Sequence, residues 1–126
     1  MEAGDPDELF ATAAGALERG SMSTARAGFE EFLRAFPQDP RVPGVRLIMG
    51  AILVQEDEAE AALEEYSRVL ELHPDTPEAA TALFQAALIE RDRGNADRAR
   101  SMLNQLTAAY PGSPEAAEAL KELGRM

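Results

Sequence analysis

The stretch Phe36-Pro37-Gln38-Asp39-Pro40 returns as His73-Pro74-Asp75-Thr76-Pro77 and again as Tyr110-Pro111-Gly112-Ser113-Pro114. Both prolines of each cluster keep an interval of 37 residues. Other columns keep it too: Ala13, Gly50 and Ala87; Gly20, Asp57 and Gly94; Ala25, Ala62 and Ala99; Phe29, Tyr66 and Leu103; Phe32, Val69 and Leu106. Agreement in so many columns marks an internal repeat. Periods of this length belong to stacked arrays, whose units cannot bury their apolar faces alone.

Between the prolines the pattern is helical. Leu63, Tyr66, Val69 and Leu70 share one face, with Glu64, Glu65, Arg68 and Glu71 on the other. Asp5-Pro6, Asp39-Pro40, Thr76-Pro77 and Ser113-Pro114 each set a capping oxygen before a proline at the first helical position. Glu8 stands where a capping box with Asp5 would need it. Gly20 and Gly94 suit left-handed helix ends, with Ser21 and Asn95 following as N-caps. The spacing predicts seven helices, over residues 6–19, 22–36, 40–55, 58–73, 77–93, 96–110 and 114–124, and no strand.

In each unit a small residue, a turn residue, an Ala, a large apolar residue and a Pro follow one another: Ala13, Gly20, Ala25, Phe29, Pro37; Gly50, Asp57, Ala62, Tyr66, Pro74; Ala87, Gly94, Ala99, Leu103, Pro111. This order resembles the tetratricopeptide repeat (TPR), here with a longer connection at the prolines. The early aromatic of the first helix is replaced by Leu9, Arg46 and Leu83. A larger residue stands at Phe32, Val69 and Leu106, and the units end in Phe-Leu-Arg-Ala-Phe-Pro and Leu-Thr-Ala-Ala-Tyr-Pro. With the run from Tyr110 to Ala117, these are similar to a bacterial envelope subfamily, the YbgF/CpoB proteins and the BamD-like lipoproteins. The resemblance implies an all-α, right-handed TPR solenoid: one domain over 1–126, repeats at about 6–39, 40–76 and 77–113, and a capping helix at 114–124. In the cap, Ala116, Ala119, Leu120 and Leu123 would cover the third repeat while Glu118, Lys121 and Glu122 face out. The small columns would pair Ala13 with Ala25, Gly50 with Ala62 and Ala87 with Ala99.

By the same resemblance the first helices line the concave groove. The groove residues would be Phe10, Ala14 and Leu17; Leu47, Ile48, Ala51 and Val54; Phe84, Gln85, Leu88 and Arg91. These are mostly apolar, unlike the Lys, Arg and Asn with which chaperone-binding TPR domains hold a peptide carboxylate. The implied occupant is therefore an apolar partner helix or an extended peptide. The segment Val45 to Val54 is apolar nearly all round. It is either a central helix buried on two sides or one with a spare face for a partner or a second copy.

Composition removes other functions. The chain has no Cys, one His and a net charge of −11. That leaves no disulfide, thiolate or Cys-ligated zinc, no His-rich metal site, and a field that repels nucleic acid. The longest apolar stretch, Leu47 to Val54, is too short to span a bilayer. The start Met-Glu-Ala-Gly-Asp-Pro-Asp has neither the basic nor the apolar region of a signal peptide. A cytoplasmic location follows if Met1 is the native start, and a periplasmic one if these repeats are cut from an envelope protein. His73 is a packing or helix-end residue, and Ser21, Ser23 and Ser101 lack a nucleophile setting. No catalytic, metal or cofactor residues are expected.

Residues 1–40 carry 8 acids and 3 bases, residues 41–77 the same, and residues 78–126 carry 7 and 6. Arg91, Arg93, Arg98 and Arg100 either pair with Glu56, Asp57, Glu58 and Glu60 one repeat away or form a basic end. The function expected is a non-enzymatic scaffold that binds a protein partner in its groove. The alternative is a self-assembling structural module within a larger bacterial complex.

Overall fold

The computed structural model describes residues 4–126. These form α1 (Pro6–Glu18), α2 (Met22–Ala35), α3 (Val42–Gln55), α4 (Ala59–Leu72), α5 (Pro77–Asp92), α6 (Ala96–Ala109) and α7 (Pro114–Arg125), with no strand among them. α1–α2, α3–α4 and α5–α6 are helical hairpins stacked in chain order, and α7 packs on the third. The architecture is the all-helical, right-handed TPR solenoid.

The hairpin turns are the same three times. Gly20, Asp57 and Gly94 adopt φ of 77°, 61° and 86°. The next N–H reaches back five residues: Ser21 to the Ala16 carbonyl at 2.8 Å, Glu58 to Leu53 at 2.8 Å, Asn95 to Glu90 at 2.9 Å. This left-handed closure absorbs carbonyls that the helix end leaves free. Ser21 and Asn95 do not cap with their side chains. The Asn95 amide instead donates to the Glu90 carboxylate at 3.0 Å.

The unit boundaries repeat as closely. Phe36, His73 and Tyr110 end their helices at φ near −130° (−129°, −135° and −128°). Each helix-ending residue's carbonyl then accepts the N–H three residues on. Asp5 caps α1 through the Asp7 N–H at 2.8 Å. The reciprocal bond expected of Glu8 is not among those formed. Ser113 caps α7 through the Ala116 N–H at 3.1 Å, whereas the Thr76 hydroxyl turns back to the His73 carbonyl. α3 departs from expectation, beginning at Val42 rather than residue 40. A helix from Pro40 would place Pro43 where its N–H must bond the Asp39 carbonyl, and proline has none. The chain therefore turns once more, with Asp39 Oδ1 accepting the Arg41 N–H at 2.9 Å, and Pro43 falls in the first helical turn.

Three apolar clusters form the core, centred on Phe29 and Phe32, on Tyr66 and Val69, and on Leu103 and Leu106. α3 serves two of them: Val45, Met49 and Ile52 enter the first, Leu53 and Leu47 the second. The segment is thus a central helix buried on two sides, and Ala51 and Val54 remain exposed on the side left over. Two close approaches are made at glycines. Ala13 lies against Gly28, where an added Cβ would be 2.8 Å from its own Cβ. Gly50 lies against the Tyr66 ring.

α7 is a looser cap than expected. Ala116 and Ala119 are buried and Leu123 packs on the third cluster, but Leu120 is 63 % exposed. Glu122 turns inward to meet Arg91. Leu120 and Gly124 occupy the columns of Leu9, Arg46, Leu83 and of Ala13, Gly50, Ala87. The helix thus has the pattern of a further first helix, with the side that would meet a second helix turned to solvent.

Candidate partner-binding site

The first helices bring two neighbouring hollows to one face. A cavity of about 360 Å³ lies between α3 and α5, lined by Leu47, Ala51, Val54 and Gln55 on one side and Thr81 and Gln85 on the other. Its floor is Tyr66, which belongs to α4, on the far layer. The ring reaches through because Gly50 has no side chain. A Cβ there would sit 2.4 Å from Tyr66 Cζ and 2.8 Å from its hydroxyl. Tyr66 is only 3 % exposed, and burial pushes its phenol up from the ordinary value. Its hydroxyl makes no hydrogen bond among the described residues. Thr81, by contrast, is held by Glu115 at 2.7 Å.

The second hollow, of about 310 Å³, is lined by Phe10 of α1, by Pro40, Arg41, Gly44, Val45 and Ile48, and by Glu78 of α5. Arg41 is committed to Asp39 (2.9 Å) and Asp7 (2.7 Å), and its guanidinium also lies over the Phe10 and Phe32 rings. The Arg41 hydrogen bonds hold the Asp39 carboxyl below the usual carboxylate range. Glu78 has no ion pair among the described residues.

Of the groove residues expected, Leu47, Ala51, Val54 and Gln85 meet at the first hollow, and Phe10 and Ile48 at the second. Ala14 and Leu17 pack against the first cluster and Phe84 against the third, so these also serve the core. Leu88 is half-buried and lines neither hollow. Arg91 is bound to Asp92 at 2.9 Å and to Glu122 at 2.5 Å. Sequence reading missed Tyr66, Gln55, Thr81 and Glu78. The signal for Tyr66 was present: its unit alone sets Gly, not Ala, in the small column.

The arginines of the third repeat divide their partners. Arg93 reaches Glu60 at 3.1 Å across units, and Arg98 reaches the buried Glu90 at 3.1 Å. Arg100 pairs with Asp97, and Glu56 and Glu58 go to Arg26 at 2.8 and 2.7 Å. One of the four therefore forms the expected cross-repeat pair, and none is a free basic end. Among the described residues no group of three or more metal-ligating side chains gathers, and no helix is long and apolar enough to cross a membrane.

Stacked hairpins, repeated turns and a cleft between first helices define a TPR protein. More particularly, residues 2–125 match the YfiO family, described as outer membrane lipoprotein, and the chain belongs to that family. The BamD-like side of the resemblance fits this assignment, and nothing bears specifically on YbgF/CpoB. No curated protein matches the chain. Among solved structures, a TPR protein from Parabacteroides merdae is similar at 22 % identity and TM-score 0.79, over 94 % of this chain. This chain spans only 44 % of that one. PcrH from Pseudomonas aeruginosa is similar at 22 % identity and TM-score 0.78, covering 99 % of this chain and 93 % of its own. The Yersinia enterocolitica type III secretion chaperone SycD, solved with a peptide of the translocator YopD, is similar at 19 % identity and TM-score 0.74. It covers 94 % of this chain and 86 % of its own. At these identities the likeness is one of fold.

Proposed function

We propose that this chain is a non-enzymatic protein-interaction scaffold that holds a segment of a partner protein on its first-helix face. The observation that carries this is the cleft between α3 and α5, whose walls are Leu47, Ala51 and Val54 and whose floor is Tyr66. Val54 is 45 % exposed beside it, apolar surface that a partner would remove from water. The peptide complex of the similarly folded SycD supports the same use of the fold. A photo-crosslinking residue at Ala51 should trap a partner that the same residue at Ser67, on α4, does not. The pair Leu47→Asp and Val54→Asp should lose that partner while remaining helical. Equal trapping at both positions refutes the reading.

A second reading is self-association through α7, favoured by the exposure of Leu120. Light scattering decides it: a monomer at all concentrations, unchanged by Leu120→Glu, removes it.

A further inference from the structure

We propose, resting on the reading above, that the first-helix face recognises an extended segment carrying an apolar side chain and a basic side chain three residues apart. The apolar one sits over the Tyr66 hydroxyl and the basic one at Glu78. Three observations lead there.

The first is the Tyr66 hydroxyl itself. It belongs to a side chain almost wholly buried, enters an apolar cavity through the gap at Gly50, and has no hydrogen-bond partner among the described residues. The hydroxyl faces the hollow, where water can reach it, so an occupant that displaces that water must supply a hydrogen-bonding group in its place or lose by the exchange. The Gln55 and Gln85 amides stand on the walls, also without side-chain bonds. A helix has already used its backbone groups on itself, whereas an extended segment offers N–H and C=O to such a set.

The second is charge. Around the neighbouring hollow stand one cation, Arg41, and three carboxylates, Asp7, Asp39 and Glu78. Arg41 is taken by the two aspartates, which leaves Glu78 at the cavity edge with no counter-ion among the described residues. A lysine or arginine of the partner completes it, and the chain's net charge of −11 draws such a partner in.

The third is spacing. The hollows are centred near Gly44 and Ala51 on one face of α3, about 10 Å apart at 1.5 Å per residue. An extended chain in the polyproline II form, with three residues per turn and about 3.1 Å per residue, covers that in about three residues and brings the fourth side chain back to the same face.

The test uses the protein as it stands, labelled with nitrogen-15, and short N-acetylated, C-amidated peptides of Gly, Ser and Gln that carry Leu-x-x-Lys or Lys-x-x-Leu. The Gly44 and Gly50 amides report the two hollows. One peptide order should shift both along a single saturation curve. Tyr66→Phe should weaken binding by roughly three- to tenfold, the loss of one hydrogen bond. Glu78→Gln should weaken it and flatten its salt dependence. Gln85→Ala, at the open side of the first hollow, is the second variant should Tyr66→Phe fold poorly. Unmoved Gly44 and Gly50 amides with both orders at millimolar peptide overturn the proposal. So does equal binding when glutamine replaces the peptide lysine. If Leu47→Asp with Val54→Asp still loses its partner in that event, the groove reading stands and only this recognition falls. If the peptides bind as stated while that variant keeps its partner, the groove reading falls instead.

Discussion

The second repeat holds an ion pair where the third holds two neutral side chains. Arg46 Nη1 meets Glu65 Oε1 at 2.9 Å between α3 and α4, with side chains 12 % and 20 % exposed, and Arg46 Nε is buried with no partner. One period away these positions are Leu83 and Met102 in the third repeat, both packed in its cluster. Removing one charge strands the other. Arg46→Leu leaves Glu65 mostly buried and unpaired and should cost about 2–3 kcal/mol, the low end for a broken buried pair because part of Glu65 reaches water. Glu65→Met should cost about 2 kcal/mol, since the long Arg46 stem can swing its head toward solvent. The double variant copies the third repeat's own pair. It also deletes the orphaned Nε, a group whose burial costs about 1–3 kcal/mol. It should therefore return to within about 1 kcal/mol of the parent, giving a coupling of about 3–4 kcal/mol. Urea unfolding with an unchanged m value measures each corner of this cycle. Single losses that simply add, with coupling below about 0.5 kcal/mol, would refute the claim that the pair acts as a unit.

Gly50→Ala should destabilise by about 1–3 kcal/mol through collision with the Tyr66 ring. Adding Tyr66→Leu, which copies Ala87 with Leu103, should restore most of that loss in thermal unfolding; no restoration would place the strain elsewhere. Asp57→Gly should gain about 0.5 kcal/mol, because relief of the left-handed strain at φ 61° outweighs the freer unfolded chain, while Gly94→Ala at φ 86° should lose about 1 kcal/mol. Opposite signs in calorimetry would overturn this account of the turns. The Asp39 carboxyl is held low by hydrogen bonds from Arg41. Its contribution is present above the unfolded value of about 3.9 and is lost as pH falls through the lower folded value. Asp39→Asn should flatten the acid limb of stability below about pH 4, and an unchanged limb would exclude Asp39 as its source.

The repeat was legible because each column is a local packing rule stated three times: a small residue where helices approach, a left-handed residue at the turn, a proline after the second helix. These rules act within about one hairpin, so sequence distance and spatial distance nearly coincide. What escaped depended on one position overriding the pattern or on contacts between layers. Pro43 moved the start of α3, although Asp39-Pro40 has the form of a helix start. The Tyr66 floor needed the knowledge that Gly50 faces that ring, a contact between helices rather than along one. Leu120 sits in the column of the buried Leu83, but burial there requires a second helix on its open side, and among the described residues none covers it.

The charge distribution changes meaning once partners are known. By sequence the third repeat is arginine-rich and nearly neutral, which invites a basic end. In the fold those arginines are taken by Glu60, Glu90, Asp92, Asp97 and Glu122, and Arg26 and Arg41 are taken by carboxylates likewise. Among the described residues Arg19 and Arg68 alone lack an acidic partner, against Asp5, Glu8, Glu18, Asp57, Glu64, Glu71, Asp75, Glu78 and Glu115 without a cationic one. Ion pairing has thus used the basic side chains to join hairpins and left the surplus as carboxylate. Exposed pairs of this kind contribute little to stability, typically about 0–1 kcal/mol each. Their larger consequence is that the free charge is of one sign, and one such carboxylate, Glu78, edges the first-helix face.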